Sequence, residues 1–468
     1  FFFFISIMYK EMEDASQTPF EMRLSEVPQA PQPQMNLDYV VCIPSNGGTF
    51  KEHQEVRLPL NVPAESFADL KRAYLKFKIT NKQSNATSIF LDPLVGGAGV
   101  IDNWRVVGGT GALLEEVIHY NTWFGINQAN RNEDVVSTVS HNEEGASLRP
   151  SIKLKVATGE ADLTGRGQVA IAQNASQVIT HRPASGFFNA DRYMPLGFTQ
   201  GTSYVSITLA AKETAAITNS GETAGVDYEC SEWELHIPIL RPGPEFGQMF
   251  RAAMNSGVPI QVHSVSAQNT QQNISNGSTG EQTITFSTRK RSVKSLMAVN
   301  RLNAAITSAL ANSITGFMNL DTTEYNFSVG GTRIPSQRIK VKTDTNGRDA
   351  GELLANTQMA LGYFNSNLRG GCFRDEHHNA GPTSTYLIDA EQTSKDSSKC
   401  AFSLDLESYD AAYAGKNLAS QGLPLVLHTK IDSAGGITGT GAVLVDLYCI
   451  HDVMYVLDGM NGVITANS

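Results

Sequence analysis

The chain has 468 residues, a length that predicts two or three domains and excludes one small module. Hydrophobic residues make up 41% and charged residues 18% of the sequence, which excludes a largely disordered chain, and the 40 glycines favour a turn-rich β architecture. The 36 basic residues against 46 acidic ones give a net charge of -10, which disfavours nucleic-acid binding through bulk charge.

The first 40 residues predict an extended N-terminal arm. Residues 1–8 (FFFFISIM) are too few for a transmembrane segment, and the acidic residues that follow them argue against a secretory signal peptide. Residues 27–34 (VPQAPQPQ) are typical of an extended polyproline-like segment that cannot pack on itself, and that either lies on a neighbouring molecule or is mobile. The arm contains two basic residues, Lys10 and Arg23, and six acidic residues, so a basic genome-binding tail is excluded.

Alternation of apolar and polar residues predicts short strands through the first half of the chain. In residues 74–80 (YLKFKIT), Leu75, Phe77 and Ile79 alternate with polar side chains, so one face of this strand should be buried and the other wet. The glycine-rich residues 108–111 predict a hairpin between the strands that flank them. The strands predicted in this half are residues 74–80, 101–107, 112–120, 204–211 and 230–240, with a short helix at 120–130.

A proline cluster predicts the boundary between two β units. Pro238, Pro242 and Pro244 should interrupt the strand at residues 230–240 and form a stiff link that glycine substitutions would loosen. The second unit begins with a predicted strand at residues 258–266, which is followed by a polar loop through residue 280. The other elements predicted in this half are strands at 282–288, 401–408, 423–431 and 441–459 and a helix at 349–364.

The resulting domains are an arm at residues 1–40 and two β units at residues 41–244 and 245–468. Both units have about 200 residues and one plan of many short strands, long polar loops and a helix, which is typical of sandwiches or jelly rolls. The shared plan predicts a structural repeat that sequence identity does not reveal.

No motif in the sequence carries catalytic or cofactor chemistry. The glycine-rich residues 96–99 and 108–111 lack the spacing of GxGxxG and GxxxxGK[ST], and no GxSxG motif is present. An acidic and histidine-containing cluster lacks HExxH spacing and is interpreted as a solvated loop, with an ion or partner contact as the alternative. The cluster consists of Arg374, Asp375, Glu376, His377 and His378. No catalytic, cofactor-binding or metal-binding residue is therefore assigned, and neither a cofactor nor enzymatic activity is expected.

Other polar features of the sequence have ordinary interpretations. A basic run is interpreted as a charged strand end, with a nuclear-localisation or nucleic-acid patch as the alternative. It consists of Arg289, Lys290, Arg291 and Lys294. Five Asn-x-Ser/Thr sites are attributed to chance in a sequence rich in these residues: Asn85, Asn174, Asn273, Asn276 and Asn326. The cysteines are odd in number and form no CxxC pair, which predicts reduced thiols. They are Cys42, Cys230, Cys372, Cys400 and Cys449.

Several segments resemble the double jelly-roll major capsid proteins of the virophage and polinton-like virus lineage. In the first half these are YLKFKIT at residues 74–80, VIDNWRVVGGTGALLEEVIHYNTWF at 100–124 and RYMPLGFTQGTSYVSITLA at 192–210. In the second half they are TEYNFSVGGTRIPSQRIKV at residues 323–341 and SLDLESYDAAYAGKNLASQGLPLVLHTKI at 403–431, followed by the long terminal strand. The resemblance is one of spacing and hydrophobicity and covers most of residues 50–468.

The resemblance implies an all-β fold of two tandem eight-stranded jelly rolls with short inserted helices. It implies a structural subunit that forms a homotrimer, a pseudo-hexameric capsomer that tiles an icosahedral shell around a double-stranded DNA genome. The implied partners are copies of the chain, neighbouring capsomers, and penton and minor or cement capsid proteins, without sequence-specific nucleic-acid binding. The implied location is the virion, assembled inside the host cell. The alternative is a carbohydrate-binding or adhesive β-sandwich protein, which explains the strands and polar loops equally well.

Overall fold

The structure is a computed structural model, and it consists mainly of antiparallel sheets with short helices between the strands. It describes residues 35–84, 86–92, 94–129, 139–146, 153–156, 159–162, 170–215, 217–218, 226–257, 259–275, 278–303, 317, 319, 322–341, 351–362, 400–408, 413–419, 424–431 and 442–468. Residues 1–34 of the predicted arm and the cluster at residues 374–378 lie outside these ranges.

Two sets of eight strands follow each other along the chain. The first set is β1 (Met35–Cys42), β2 (Glu55–Pro59), β3 (Tyr74–Asn81), β4 (Ile101–Val107), β5 (Leu113–Val117), β6 (Ser176–His181), β7 (Tyr204–Leu209) and β8 (Tyr228–Pro242). The second set is β9 (Ile260–Ile274), β10 (Gly280–Phe286), β11 (Val293–Leu302), β12 (Thr322–Val329), β13 (Thr332–Lys340), β14 (Phe402–Asp405), β15 (Leu425–Ile431) and β16 (Val443–Asp458). A further strand, β17 (Val463–Asn467), pairs with β16.

Short elements connect these strands. The helices are α1 (Tyr120–Ala129), α2 (His141–Glu144), α3 (Pro244–Asn255) and α4 (Gly351–Ala360), with 3-10 turns at Leu70–Arg72, Gly97–Val100 and Leu196–Phe198. The minor strands are Thr49–Phe50, Phe67–Ala68, Ile89–Phe90, Lys153–Val156, Gly159–Asp162, Ala170–Ile171 and Ile217–Thr218. Within the described ranges, every helix is too short or too polar to cross a membrane.

The order of the strands in the sheets is the same in both sets. The first set has one sheet with the order β1-β8-β3-β6 and one with the order β2-β7-β4-β5. The second set has the orders β9-β16-β11-β14 and β10-β15-β12-β13. When each set is counted from one to eight, both therefore read 1-8-3-6 and 2-7-4-5. Eight antiparallel strands in two such sheets form a jelly roll. The predicted pair of jelly rolls is confirmed, and the two sets are called roll 1 and roll 2.

The strand β3 shows how sequence alternation produces the core. Leu75, Phe77 and Ile79 are all 0% exposed and belong to the apolar cluster of roll 1. Lys76 lies on the opposite face and forms an ion pair with Glu234 of β8 at 3.0 Å. Successive side chains of a strand point to opposite faces, so the predicted division into a buried and a wet face is confirmed.

The long strand β16 contributes to the cores of both rolls. Toward its start, the residues in the apolar cluster of roll 2 are Val443, Val445, Leu447 and Cys449. Toward its end, the residues in the cluster that includes the core of roll 1 are Tyr448, Ile450, Val453, Tyr455 and Leu457. This double role explains why β16 is almost continuously buried and lacks the alternation of a strand with one solvated face. The two rolls are therefore packed against each other through a shared strand.

The predicted polar loop after residue 266 is wrong in its first part, because β9 continues to Ile274. Asn269 and Gln271 donate hydrogen bonds to Oδ1 of Asp446 in β16, at 3.3 and 2.6 Å. The other oxygen of Asp446 pairs with Arg301 of β11 at 2.7 Å, and both charged side chains are buried. The amide side chains thus supply hydrogen bonds that a buried carboxylate needs. This tertiary contact keeps the segment in a strand although its composition is typical of a loop.

The prediction that Pro238 interrupts its strand is also wrong, because β8 continues to Pro242. Pro238 lies opposite Tyr39 of β1, and its carbonyl oxygen still accepts a hydrogen bond from the N–H of Asp69 at 2.9 Å. Proline removes only a donor from a ladder, so the strand continues where that donor is not required. The strand β1 begins at Met35, so residues 35–40 of the predicted arm belong to a sheet of roll 1, and the domain limits at residues 40 and 244 remain predictions.

Candidate functional site

A buried carboxylate joins three segments where the two rolls meet. Glu115 of β5 is 5% exposed, and its Oε1 accepts hydrogen bonds from the Ser266 hydroxyl of β9 and the Gly186 N–H, both at 2.6 Å. Its Oε2 accepts hydrogen bonds from the Ser185 hydroxyl and from the Phe187 N–H at 3.0 Å. These four donors satisfy both oxygens and fix β9 of roll 2 against roll 1. These five residues are called the inter-roll junction.

A glycine allows the backbones of the two rolls to touch at this junction. A β-carbon at Gly186 would lie 2.5 Å from the carbonyl oxygen of Val265 in β9, so a side chain there would push the rolls apart. The Gly186 carbonyl oxygen also accepts a hydrogen bond from the Ser264 hydroxyl at 2.5 Å. Close approach of two backbones is one of the uses of glycine in proteins.

Aromatic side chains from both rolls extend the contact. Trp123 of α1 packs against Tyr448 of β16 with ring centroids 5.4 Å apart, and the Tyr448 hydroxyl donates to the carbonyl oxygen of His119 at 3.0 Å. Phe187 meets Tyr455 edge to face, with centroids 5.2 Å apart. Each such pair stabilises a contact by about 0.5–1.5 kcal/mol beyond the burial of its area. The relative position of the rolls is thus set by packing as well as by hydrogen bonds.

A small cavity of about 280 Å³ adjoins the junction, and Glu115, Lys290 and His451 contribute to its lining. Burial lowers the pKa of His451 to about 4, and its Nδ1 donates to the carbonyl oxygen of Cys449 at 3.2 Å. Burial also lowers the pKa of Lys290, whose ammonium group donates to the Ser468 hydroxyl at 2.8 Å. A buried imidazole with this pKa is neutral near pH 7, so the cavity beside the junction contains the uncharged form of His451.

A second cluster has catalytic residue types but is closed to solvent. The Tyr120 hydroxyl donates to Nε2 of His181 at 2.6 Å, and Nδ1 of His181 donates to Oε1 of Glu144 at 2.7 Å. The same hydroxyl accepts a hydrogen bond from the Ala184 N–H at 2.7 Å, and Gln128 donates to the other Glu144 oxygen at 3.0 Å. Because none of the three central side chains is more than 3% exposed, no substrate reaches them. The cluster ties α1 and α2 to β6.

A third cluster contains serine, histidine and aspartate, but the hydrogen bonds between them are not those of a serine hydrolase. His263 donates from Nε2 to Oδ1 of Asp452 at 2.6 Å, and the Ser292 hydroxyl donates to Oδ2 at 2.5 Å. The serine therefore bonds the acid, whereas a serine hydrolase needs the serine to bond the histidine. The N–H of Tyr413 donates to Oδ2 as well, at 3.1 Å, so the carboxylate holds a loop against β9 and β16. In the described residues, no group of three or more His, Cys, Asp or Glu side chains is placed to hold a metal ion.

The glycine-rich stretches are turns. Residues Gly97–Val100 form a buried 3-10 turn, and the N–H of Gly111 donates to the carbonyl oxygen of Gly108 at 2.8 Å, which closes the hairpin between β4 and β5. The predicted hairpin is confirmed, and these glycines serve chain reversal.

The first three residues of the basic run lie between β10 and β11, where Arg289 and Arg291 are exposed, and Lys294 lies in β11. Lys294 pairs with Glu407 at 2.5 Å with its side chain 17% exposed, and Lys290 lies in the cavity beside the junction. Among the Asn-x-Ser/Thr sites, Asn326 is 0% exposed, so its amide could not accept a glycan in this fold. Lys290 and Lys294 thus bind other side chains of the molecule, whereas Arg289 and Arg291 are exposed.

The described cysteines are free, buried thiols: Cys42, Cys230, Cys400 and Cys449. Burial raises the pKa of Cys449 to about 12 and raises that of Cys230 and Cys400 further, so these thiols are protonated and unreactive near neutral pH. Cys372 lies outside the described residues.

Solved viral capsid structures contain the same arrangement of two rolls. The crystal structure of PBCV-1 VP54, fitted into a cryo-EM reconstruction of the virophage Sputnik, aligns with a TM-score of 0.59 and 8% identity over 94% of this chain and 98% of that chain. The Faustovirus major capsid protein aligns with a TM-score of 0.54 and 9% identity over 91% of each chain. This chain is a double jelly roll. The mavirus major capsid protein has the same fold, with a TM-score of 0.51 and 9% identity over 96% of this chain and 95% of that chain.

The likeness of this double jelly roll to the capsid structures lies in its fold, because identities of 8 to 9% carry no information on individual residues. No protein-family model matches the sequence, and a search of curated proteins finds no match. The resemblance stated from the sequence is confirmed at the level of the fold. The double jelly roll extends over nearly the whole chain.

Proposed function

We propose that this chain is a major capsid protein, the structural subunit of an icosahedral virus shell. The observation that carries the proposal is the duplicated roll, in which one strand order occurs twice in a chain that matches capsid proteins over almost its whole length. A fold alone does not determine function, so the absence of competing chemistry in the described clusters is the second support.

The proposed assembly is a homotrimer that acts as a pseudo-hexameric capsomer. Three copies with two rolls each place six similar units around one axis, and a six-sided tile can cover the faces of an icosahedron. Such a tile requires a fixed angle between the two rolls of every copy, and the inter-roll junction provides one. Neighbouring capsomers and penton and minor or cement proteins are the proposed further partners, and the virion, assembled inside the host cell, is the proposed location.

The proposed content of the shell is double-stranded DNA that this protein does not itself neutralise. The net charge of -10 opposes bulk attraction to phosphates, and Lys290 and Lys294 of the basic run already bind other side chains of the molecule. Sequence-specific binding to nucleic acid is not part of the proposal.

A structural, non-enzymatic role is proposed on the same grounds. The cluster around His181 is closed to solvent, and the cluster around Asp452 has its serine bonded to the acid. Both clusters act as ties between strands and loops, which is what a rigid subunit requires.

The test is the mass and shape of the purified chain. Sedimentation at micromolar concentration should give three times the mass of one chain, and negative-stain images should show particles with a pseudo-sixfold outline or closed shells. A stable monomer contradicts the proposal. A monomer that binds oligosaccharides would favour the adhesive alternative instead, for which no described feature speaks specifically.

A further inference from the structure

The strand β1 carries an apolar stripe on the face that points away from the core of roll 1. The stripe consists of Met35, Leu37, Tyr39, Val41 and Ile43, which are 44%, 49%, 57%, 48% and 62% exposed. Alternation with period two places these side chains on one face, while Cys42 on the other face is buried. An antiparallel sheet with one wet face carries polar residues there, so this stripe reverses the usual pattern.

The outer backbone edge of β1 does not favour pairing with another strand. In the described residues β1 pairs only with β8, so it lies at the edge of its sheet. The N–H of Tyr39 is occupied by the carboxylate of Asp38 at 2.8 Å, and that carboxylate also pairs with Arg241 of β8 at 3.0 Å. Charged side chains on an edge discourage sheet extension. A partner of this surface is therefore expected to contact the side chains of the stripe.

The stripe continues into a groove of about 670 Å³ at the Met35 end of β1, whose surface is mainly apolar although Lys71, Arg72, Asp191 and Arg192 also line it. Leu37 lies opposite Leu240 of β8, and Leu240 lies opposite Phe67, so an apolar row crosses three strands. Phe67 is held in place by Phe250 of α3, with centroids 4.9 Å apart. The exposed Tyr193 forms part of the opposite wall. Stripe and groove together are called the β1 surface.

The remainder of the same sheet face is electrically balanced. Lys76 pairs with Glu234 and Lys78 pairs with Glu232, each at 3.0 Å. No described side chain of the stripe is charged. Recognition through the stripe is therefore apolar, because the charges beside it on the sheet face pair with each other, whereas the groove also presents charged side chains.

We infer that the β1 surface is a contact between copies of this chain. The inference rests on the proposed function, since a shell subunit must bury surface against its copies, and a chain with net charge -10 repels its copies unless apolar contact compensates. Contiguous exposed apolar patches above roughly a few hundred Å² mark interaction sites, and the stripe holds five of the thirteen exposed large apolar side chains among the described residues. In a closed trimer, the surface meets a different patch of the next copy.

The experiment compares two variants of the full chain. Leu37→Asp/Tyr39→Asp places two charges in the stripe, whereas Val178→Asp is the matched control. Val178 is 46% exposed on β6, at the other edge of the same sheet face, opposite Lys78. At a concentration where the unchanged chain is trimeric, the double variant should associate at least ten-fold more weakly, and Val178→Asp should remain trimeric. Circular dichroism and the thermal midpoint verify that both variants fold.

The outcomes separate this inference from the proposed function. Loss of trimers, or intact trimers that no longer form shells, supports the β1 surface as a contact between copies. Unchanged trimers and shells overturn the inference and leave the proposed function standing, whereas an unchanged chain that is monomeric contradicts the proposed function itself. Intact assembly with a lower thermal midpoint shows that the stripe is covered by its own chain and also overturns the inference.

A second variant keeps the inference testable if the aspartates prevent folding. Tyr39→Cys introduces a thiol into the stripe, while the described native thiols are buried. A maleimide should label the introduced thiol at least ten-fold more slowly in assembled protein than in protein dissociated by dilution. Equal rates in both states overturn the inference.

Discussion

Glu115 makes its four hydrogen bonds with donors from three segments, so replacing one of its oxygens by an amide group has a defined effect. In Glu115→Gln, the amide faces either the Gly186 N–H or the Phe187 N–H, and a donor then meets a donor. A buried donor without an acceptor costs about 1–3 kcal/mol. We expect the free energy of unfolding in urea to fall by that amount at pH 7.

Glu116→Gln is the matched control, because Glu116 is the next residue along β5 and pairs with Arg105 at 2.6 Å while partly exposed. Surface ion pairs stabilise proteins by about 0–1 kcal/mol, so this variant should change stability little. Equal effects of the two substitutions would show that Glu115 does not hold the rolls together.

His451, which lines the cavity beside the inter-roll junction, makes the stability of the folded chain depend on pH. Its pKa of about 4 in the folded chain lies below the ordinary value of 6.5, so the unfolded chain binds more protons between these pH values. The stabilisation from this group is complete above pH 6.5 and is lost as the pH falls toward 4. We expect unfolding at pH 5 to require about 2 kcal/mol less than at pH 7.5 through this group alone.

The measurement is the free energy of unfolding at both pH values for the unchanged chain and for His451→Gln. Glutamine does not titrate, so the variant should lose less stability on acidification. The pKa of the partly exposed His428 is also lowered, chiefly by burial, and its contribution remains in both proteins. Parallel pH profiles of the two proteins would disprove the assignment.

At the scale of elements, we expect the link between the rolls to contribute less to their placement than the sequence alone predicts. Pro242 ends β8 and Pro244 occupies the first turn of α3, where proline is favoured. The shared strand β16 and the inter-roll junction hold the rolls independently of this link. We therefore expect Pro242→Gly/Pro244→Gly to leave the radius of gyration in solution scattering unchanged and to lower stability by about 1 kcal/mol.

Gly186→Val is the contrasting variant, because its side chain would collide with the Val265 carbonyl oxygen. It should expand the molecule or destabilise it more than the double glycine variant does. Proteolytic cleavage at residues 241–256 only in the glycine variant, together with a larger radius of gyration, would show that the link sets the angle between the rolls.

The elements that the sequence predicts well are strands whose burial depends on one core. The alternation of Leu75, Phe77 and Ile79 with polar residues is enough to predict β3 and its buried face. Residues 35–40 of β1 are predicted as part of the arm because they follow the proline- and glutamine-rich residues 27–34, and their exposed apolar side chains do not form the pattern of a strand with a wet face. The end of β9 was predicted as a loop because its Asn and Gln side chains have polar partners that only the folded sheet brings close.

At the scale of the whole molecule, the order of elements predicted the two rolls, whereas their contact could not be predicted. The partners of Glu115 lie 70 to 72 residues away in one loop and 151 residues away in β9. Local patterns report periodicity and turns, and a single sequence contains no signal for such distant pairs. The residues that fix the angle between the rolls therefore emerged only from the structure.

The sharing of β16 between two cores has a consequence for the synthesis of the chain. The eight strands of roll 1 have all been translated by residue 242, yet its apolar cluster includes Tyr455 and Ile464. At 5–20 residues per second, the ribosome needs roughly 10 to 45 s to add the missing stretch. During that time the contacts of Tyr455 and Ile464 with this cluster are absent. The apolar cluster of roll 1 is therefore completed only after most of roll 2 has been translated.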